Sequence, residues 1–142
     1  MNIYIDCEFN SFGGDLISMA LVPEDVLEPR FYEVLDTRHM EINPWVAENV
    51  IPKLGQPGIS LPAFQARLEA YLDKFHPVHI VADWPEDIAW LCRAIITGPG
   101  TRIRYPKRFT FQCVPIDTVS ANPHNALADA EALADALRHK LP

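Results

Sequence analysis

Three stretches of strand character crowd into residues 3–36, and helical patterns begin only after them. The first, "IYIDCEF", is joined to "DLISMALVP" by "SFGG", where Gly13 and Gly14 supply permissive dihedrals for a tight turn. "RFYEVLD" follows, so the three strands form an antiparallel meander. "INPWVAENVIPKL" then reads as a short helix, with Asn43 as its N-cap and Pro44 at its first position. "SLPAFQARLEAYLDKF" is a stronger helix, capped by Ser60, with Phe64, Leu68, Leu72 and Phe75 on one face. Beyond it the period changes repeatedly. "PVHIVAD" is a strand, "PEDIAWLCRAII" a helix with acids in its first turn, and "TGPGTRIRYPKR" a loop. "FTFQCVPIDT" is the last strand, and "HNALADAEALADALRHKL" a final helix with Leu127, Ala130, Leu133, Ala134, Leu137 and Leu141 along one side. This order predicts an α/β fold: a mixed sheet with its first three strands antiparallel and its later strands parallel, the first strand central, and helices packed on it.

The length of 142 residues fits a single domain over 1–142 with a sizeable core, and 49% hydrophobic content excludes a disordered chain. The net charge of −7 counts against a protein that holds nucleic acid by bulk attraction. It leaves room for an enzyme that carries cations and meets phosphate locally; two divalent ions would bring the charge to about −3. Cys7, Cys92 and Cys113 have no metal-site spacing and read as reduced core thiols. No stretch approaches the ~20 apolar residues of a membrane span, and the N-terminus has no leader pattern, so a cytoplasmic location is expected.

The first strand carries the most chemistry. Asp6 and Glu8 are two apart, so they share one face at roughly 7 Å. Unpaired burial of both is costly, and something positive belongs beside them unless that face is solvated. Asp83 ends a strand and Asp87 opens the next helix, where α/β folds build sites, although capping and dipole compensation also explain acids there. Asp129 falls about 100° from the centre of the last helix's apolar stripe, at the border of the buried face. His124 precedes it by five residues, at or just before the helix start. Hard carboxylate oxygens select Mg²⁺ or Mn²⁺ over zinc, and a pair of such ions stabilises both the attacking and leaving oxygens in phosphodiester cleavage. A neutral histidine beside them takes the proton of the attacking water.

"IDCEF", "DIAWL" and "HNALADAEAL" resemble the three motifs of the DEDDh 3′–5′ exonucleases. The family's DxE matches Asp6 and Glu8, and its HxAxxD matches His124, Ala126 and Asp129. Its second aspartate precedes an apolar pair, which favours Asp87. The asparagine and aromatic that often stand before that aspartate are replaced by "DWPE", so Asp83 remains the alternative ligand. The resemblance runs from residue 6 to residue 129 in the family's order. It implies a ribonuclease H-like fold, two Mg²⁺ or Mn²⁺ ions held by Asp6, Glu8, Asp87 and Asp129, and His124 as general base. The length and "NPWVAENVIPKLGQP" are further similar to the small bacterial exoribonuclease AS group. That similarity implies single-stranded RNA or an RNA 3′ overhang as substrate, release of nucleoside 5′-monophosphates, and a homodimer.

Phe9 is a candidate for stacking on a terminal base if the chain bends at Asn10, and the two are the candidate substrate contacts. Trp45 and Trp84 read as structural. Arg102, Arg104, Lys107 and Arg108, with Tyr105 among them, form a basic loop suited either to phosphate or to a subunit contact. The expectation is therefore a metal-dependent 3′–5′ exoribonuclease. An exodeoxyribonuclease of the same fold and a non-catalytic nucleic-acid-binding module are the alternatives.

Overall fold

The computed structural model describes residues 1–138 and 140. Its first strand, β1 (Asn2–Phe9), pairs antiparallel with β2 (Leu16–Pro23), which pairs antiparallel with β3 (Phe31–Val34). A short helix α1 (Pro44–Asn49) leads into a 3₁₀ turn (Ile51–Lys53) and then into α2 (Leu61–Leu72). β4 (Val78–Ala82) returns parallel to β1, α3 (Pro85–Ile95) follows it, and β7 (Phe109–Cys113) adds parallel to β4. Between them β5 (Ile96–Gly98) and β6 (Thr101–Arg102) form a small hairpin, and α4 (Ala126–Leu137) ends the described fold. The five-stranded mixed sheet has the order β3-β2-β1-β4-β7, with β1 at its centre as the sequence predicts.

Alternation along β1 divides the core. Ile3, Ile5 and Cys7 face one way and join Phe64, Leu68 and Leu72 of α2 and Leu91 of α3. Tyr4 faces the other way, with Ala126, Ala130, Leu133 and Ala134 of α4. Asp6 and Glu8 follow Tyr4 on the α4 side by the period of two. Val46 and Val50, at the α1 end, pack with Ile17 and Val34 over β2 and β3. Ile17 is an extra residue in β2: Glu8 opposes Ser18 while Phe9 opposes Leu16, so a bulge sits where β1 delivers its second carboxylate.

Local sequence explains the helix starts. Asn43 accepts a hydrogen bond from the Trp45 amide, Ser60 from the Ala63 amide, and Asn125 from the Ala128 amide. Pro follows the cap in α1, α2 and α3. Trp84, not Asp83, holds the N-cap position of α3, and it makes no side-chain cap bond. Asp83 is therefore not engaged as a cap. Two expectations change. Cys92 and Cys113 are exposed, and only Cys7 is a core thiol, because Cys92 falls on the outer side of α3 and β7 is an uncovered edge strand. The loop after α3 contains the β5–β6 hairpin rather than irregular chain throughout. Leu141 lies outside the described residues. Among those described, no helix is long and apolar enough to cross a membrane.

The β1–β2 turn sets where β1 ends, and Gly14 is the residue it cannot replace. A Cβ there would lie 1.8 Å from the Asn10 carbonyl oxygen, a backbone atom that has no freedom to retreat. Gly14→Ala is expected to cost about 3 kcal/mol, at the upper end of ordinary substitutions. In a thermal melt that is a loss of about 10 °C for a chain of this size. An unchanged melting temperature would show that the turn relaxes freely.

Candidate metal centre

Four elements bring carboxylates to one end of the sheet. β1 supplies Asp6 and Glu8, the residue after β4 is Asp83, the first turn of α3 holds Asp87, and the first turn of α4 holds Asp129. One oxygen from each of Asp6, Glu8 and Asp129 lies within 4.8 Å of the others, and the same holds for Asp6, Asp83 and Asp87. Asp6 belongs to both groups. The strand ends explain this convergence. β1 and β4 run parallel, so their C-terminal ends open at the same edge, and the helix that follows β4 starts there.

Hydrogen bonding fixes one oxygen of two of these carboxylates and leaves the other bare. Asp87 is only 2% exposed; its Oδ1 accepts the Cys7 amide at 3.1 Å, while its Oδ2 has no partner. Asp129 accepts the His124 amide through Oδ2 at 3.0 Å, and its buried Oδ1 has no partner. The Oδ2 of Asp6 is also buried and unpaired. Buried acceptors without partners are rare and costly. Asp87 and Asp129 fall in the two separate groups that meet at Asp6, and a hard cation in each group would satisfy such oxygens. All five donors are carboxylates, which suits Mg²⁺ or Mn²⁺ and not a nitrogen- and sulfur-seeking zinc ion.

Electrostatics point the same way. Burial pushes Asp6 well above the usual carboxylate range, and the charges of Asp87, Glu8, Asp129 and Asp83 push it further. Asp87 is raised to about 8, first by burial and then by Asp83, against the pull of the Cys7 amide. Glu8 is raised to about 7 by burial and by Asp129, while Lys53 lowers it. Asp83 is raised by burial, opposed by backbone hydrogen bonds and reinforced by Asp129. Two like charges 4 Å apart repel by about 4 kcal/mol at an effective dielectric of 20. One ammonium cannot neutralise five such neighbours.

Lys53 and the histidine turn form one assembly. Lys53 Nζ donates to the Pro123 carbonyl at 2.7 Å, and Asn125 Nδ2 donates back to the Lys53 carbonyl at 2.8 Å and to the Tyr32 hydroxyl at 3.3 Å. The Tyr32 hydroxyl donates to the Leu54 carbonyl at 2.7 Å. His124 itself sits at φ +68°, the left-handed region that non-glycine residues seldom occupy. Its ring meets Trp45 edge-on, with centroids 5.0 Å apart. Neither Lys53 nor Asn125 stood out in the sequence. Asn125 could have been found as the cap before "ALADA"; nothing in "VIPKL" marks Lys53.

Beside Glu8 runs a cleft of about 390 Å³ lined by Cys7, Phe9, Phe12, Trp45 and Trp84 among others. Trp45 is 53% exposed and Trp84 57%, so both are wall residues and not the structural core residues expected. Phe9 lines the cleft while packing partly buried against the α2–α3 side, on the face opposite Glu8. Asn10 clamps the approach to α1. Its amide donates to the Glu41 carbonyl, and its oxygen accepts the Asn43 amide, both at 2.8 Å. Its side-chain amide thus ties the end of β1 to the segment that leads into α1.

The basic loop lies elsewhere. It precedes β7, whose Phe109 pairs with Val78 at the start of β4, the end of the sheet remote from the carboxylates. Arg104 is held by Glu69 and Asp73, and Arg102 stacks over Tyr105. In comparisons with known proteins, no family model and no curated protein matches the chain.

The raised carboxyls give a pH signature. In the metal-free chain Glu8 and Asp87 keep their protons to about 7 and about 8, whereas unfolded chains release them near 4. The native state then binds more protons than the unfolded one across that window, so the site's contribution is full below about pH 4 and is lost by about pH 8. Thermal melts in EDTA should show a lower melting temperature at pH 8.5 than at pH 5, with Mg²⁺ or Mn²⁺ restoring stability at pH 8.5. A metal-free melting temperature that rises with pH over this range would contradict the cluster's electrostatics.

Proposed function

We propose that this chain is a divalent-metal-dependent 3′–5′ exonuclease acting on RNA, with a ribonuclease H-like fold. The observation that carries the reading is Asp6, shared between two groups of three carboxylates whose oxygens lie within 4.8 Å. The sheet order, with antiparallel β1, β2 and β3 followed by parallel β4 and β7, supports the fold, and the three motifs read from the sequence support the reaction.

Asp6, Glu8, Asp87 and Asp129 would hold two Mg²⁺ or Mn²⁺ ions, which would supply charge stabilisation for phosphodiester hydrolysis. The chain's own residues do the rest. His124 accepts the proton of the attacking water as its oxygen bonds to phosphorus. The bond from phosphorus to the 3′-oxygen of the preceding nucleotide breaks, leaving a shortened strand with a free 3′-hydroxyl and a nucleoside 5′-monophosphate. The Asp129–His124 amide bond and the Lys53–Pro123 tie hold the histidine's turn beside the carboxylates. Trp45 and Trp84 offer stacking faces for unpaired bases, each base–aromatic contact contributing about 1–3 kcal/mol. An acidic protein would gain affinity for a nucleic acid from such base contacts without a basic surface.

End-labelled single-stranded RNA and DNA, incubated with Mg²⁺, Mn²⁺ or EDTA, test this directly. RNA should shorten from its 3′ end only with metal, yielding 5′-monophosphates. Preferential loss of DNA would move the substrate assignment, and no shortening of either strand would defeat the enzymatic reading. His124→Ala should lower kcat by about 10²–10⁴-fold, the usual contribution of a general base, while leaving the fold and cation binding intact. Asp6→Ala should abolish cleavage.

A further inference from the structure

Asp83 is the carboxylate that the four-ligand reading leaves over. It follows β4 directly, is not the cap of α3, and places an oxygen within 4.8 Å of both Asp6 and Asp87. Its neighbour Asp87 is almost wholly buried and keeps Oδ2 without a hydrogen-bond partner, and the buried Oδ2 of Asp6 is likewise bare. Both residues belong to the same group of three as Asp83. A structural acid at a strand end would be solvated, paired with a base or engaged as a cap. Asp83 is half-buried and caps no helix, and among the described residues it pairs with no base; its carboxylate accepts only backbone amides, its own and that of Trp84.

Resting on the metal-centre reading above, we propose that Asp83 is a ligand of the second divalent cation, so that this position is held by Asp6, Asp83 and Asp87. The consequence concerns occupancy. With only Asp6 and Asp87, the second position carries two carboxylates and depends on a substrate phosphate to complete it. With Asp83 it carries three, matching the first position at Asp6, Glu8 and Asp129. Affinity for hard cations rises with the number of charged oxygen donors. The free protein therefore takes up two cations before any nucleic acid binds.

The test is Mn²⁺ titration of the full chain by calorimetry at pH 8, without nucleic acid, for the native protein, Asp83→Asn and Asp129→Asn. The native chain should bind two Mn²⁺ ions. Asp83→Asn should leave one site unchanged and weaken the other at least ~10-fold, whereas Asp129→Asn should weaken the opposite site. The metal-free Asp83→Asn protein should melt no lower than the native one, since the change removes a like charge from the cluster; this separates loss of a ligand from loss of fold. Native stoichiometry and affinity in Asp83→Asn would overturn the assignment of Asp83 alone. Failure of the native chain to bind any Mn²⁺ would instead overturn the metal centre on which it rests.

Discussion

Repulsion among five acidic side chains gathered at one end of a sheet governs this molecule. Each sits where ordinary folding rules put it: two on the central strand, one after a strand, two in first helical turns. Their charges become a problem only because parallel pairing of β1 and β4 and the packing of α4 bring those places together. The apolar core on both faces of β1 makes the assembly tolerable. Ile3, Ile5 and Cys7 anchor one side of the strand and Tyr4 the other, so the strand cannot slip or rotate to relieve the charges. The protein thereby stores unfavourable electrostatics in a frame stiff enough to hold it.

Much of this frame is legible in the sequence, and the reason is local. The Asn43 and Ser60 caps, the proline positions and the α2 stripe from Phe64 to Phe75 are each determined by neighbours within one or two turns. The face shared by Asp6 and Glu8 follows from strand periodicity alone. Asp129 at the edge of the α4 stripe follows from helix periodicity, and its unpaired buried oxygen is what a border position makes available.

What escaped the sequence depends on residues far apart in the chain. Lys53 meets Pro123 across seventy positions, and no pattern in "VIPKL" announces that partner. Trp45 and Trp84 look like core residues by composition, yet α1 and the start of α3 hold them at a cleft. Asn10 sits beside the site in sequence but turns its amide to the Glu41–Asn43 segment. The Arg102–Arg108 stretch is visible in the sequence as a run of basic residues, but its place at the end of the sheet remote from the carboxylates comes from the β4–β7 register. The choice between Asp83 and Asp87 is similar: their separation by one helical turn is visible in the sequence, but their common approach to Asp6 is a property of the assembled sheet.

The reciprocal tie between Lys53 and the turn before α4 has a mechanical corollary. Trp45 packs on His124, α1 runs into the turn that ends at Lys53, and Lys53 and Asn125 grip each other's backbones. The wall of the cleft and the imidazole beside it are thus one rigid lever. Any displacement of the indole would therefore carry the imidazole with it.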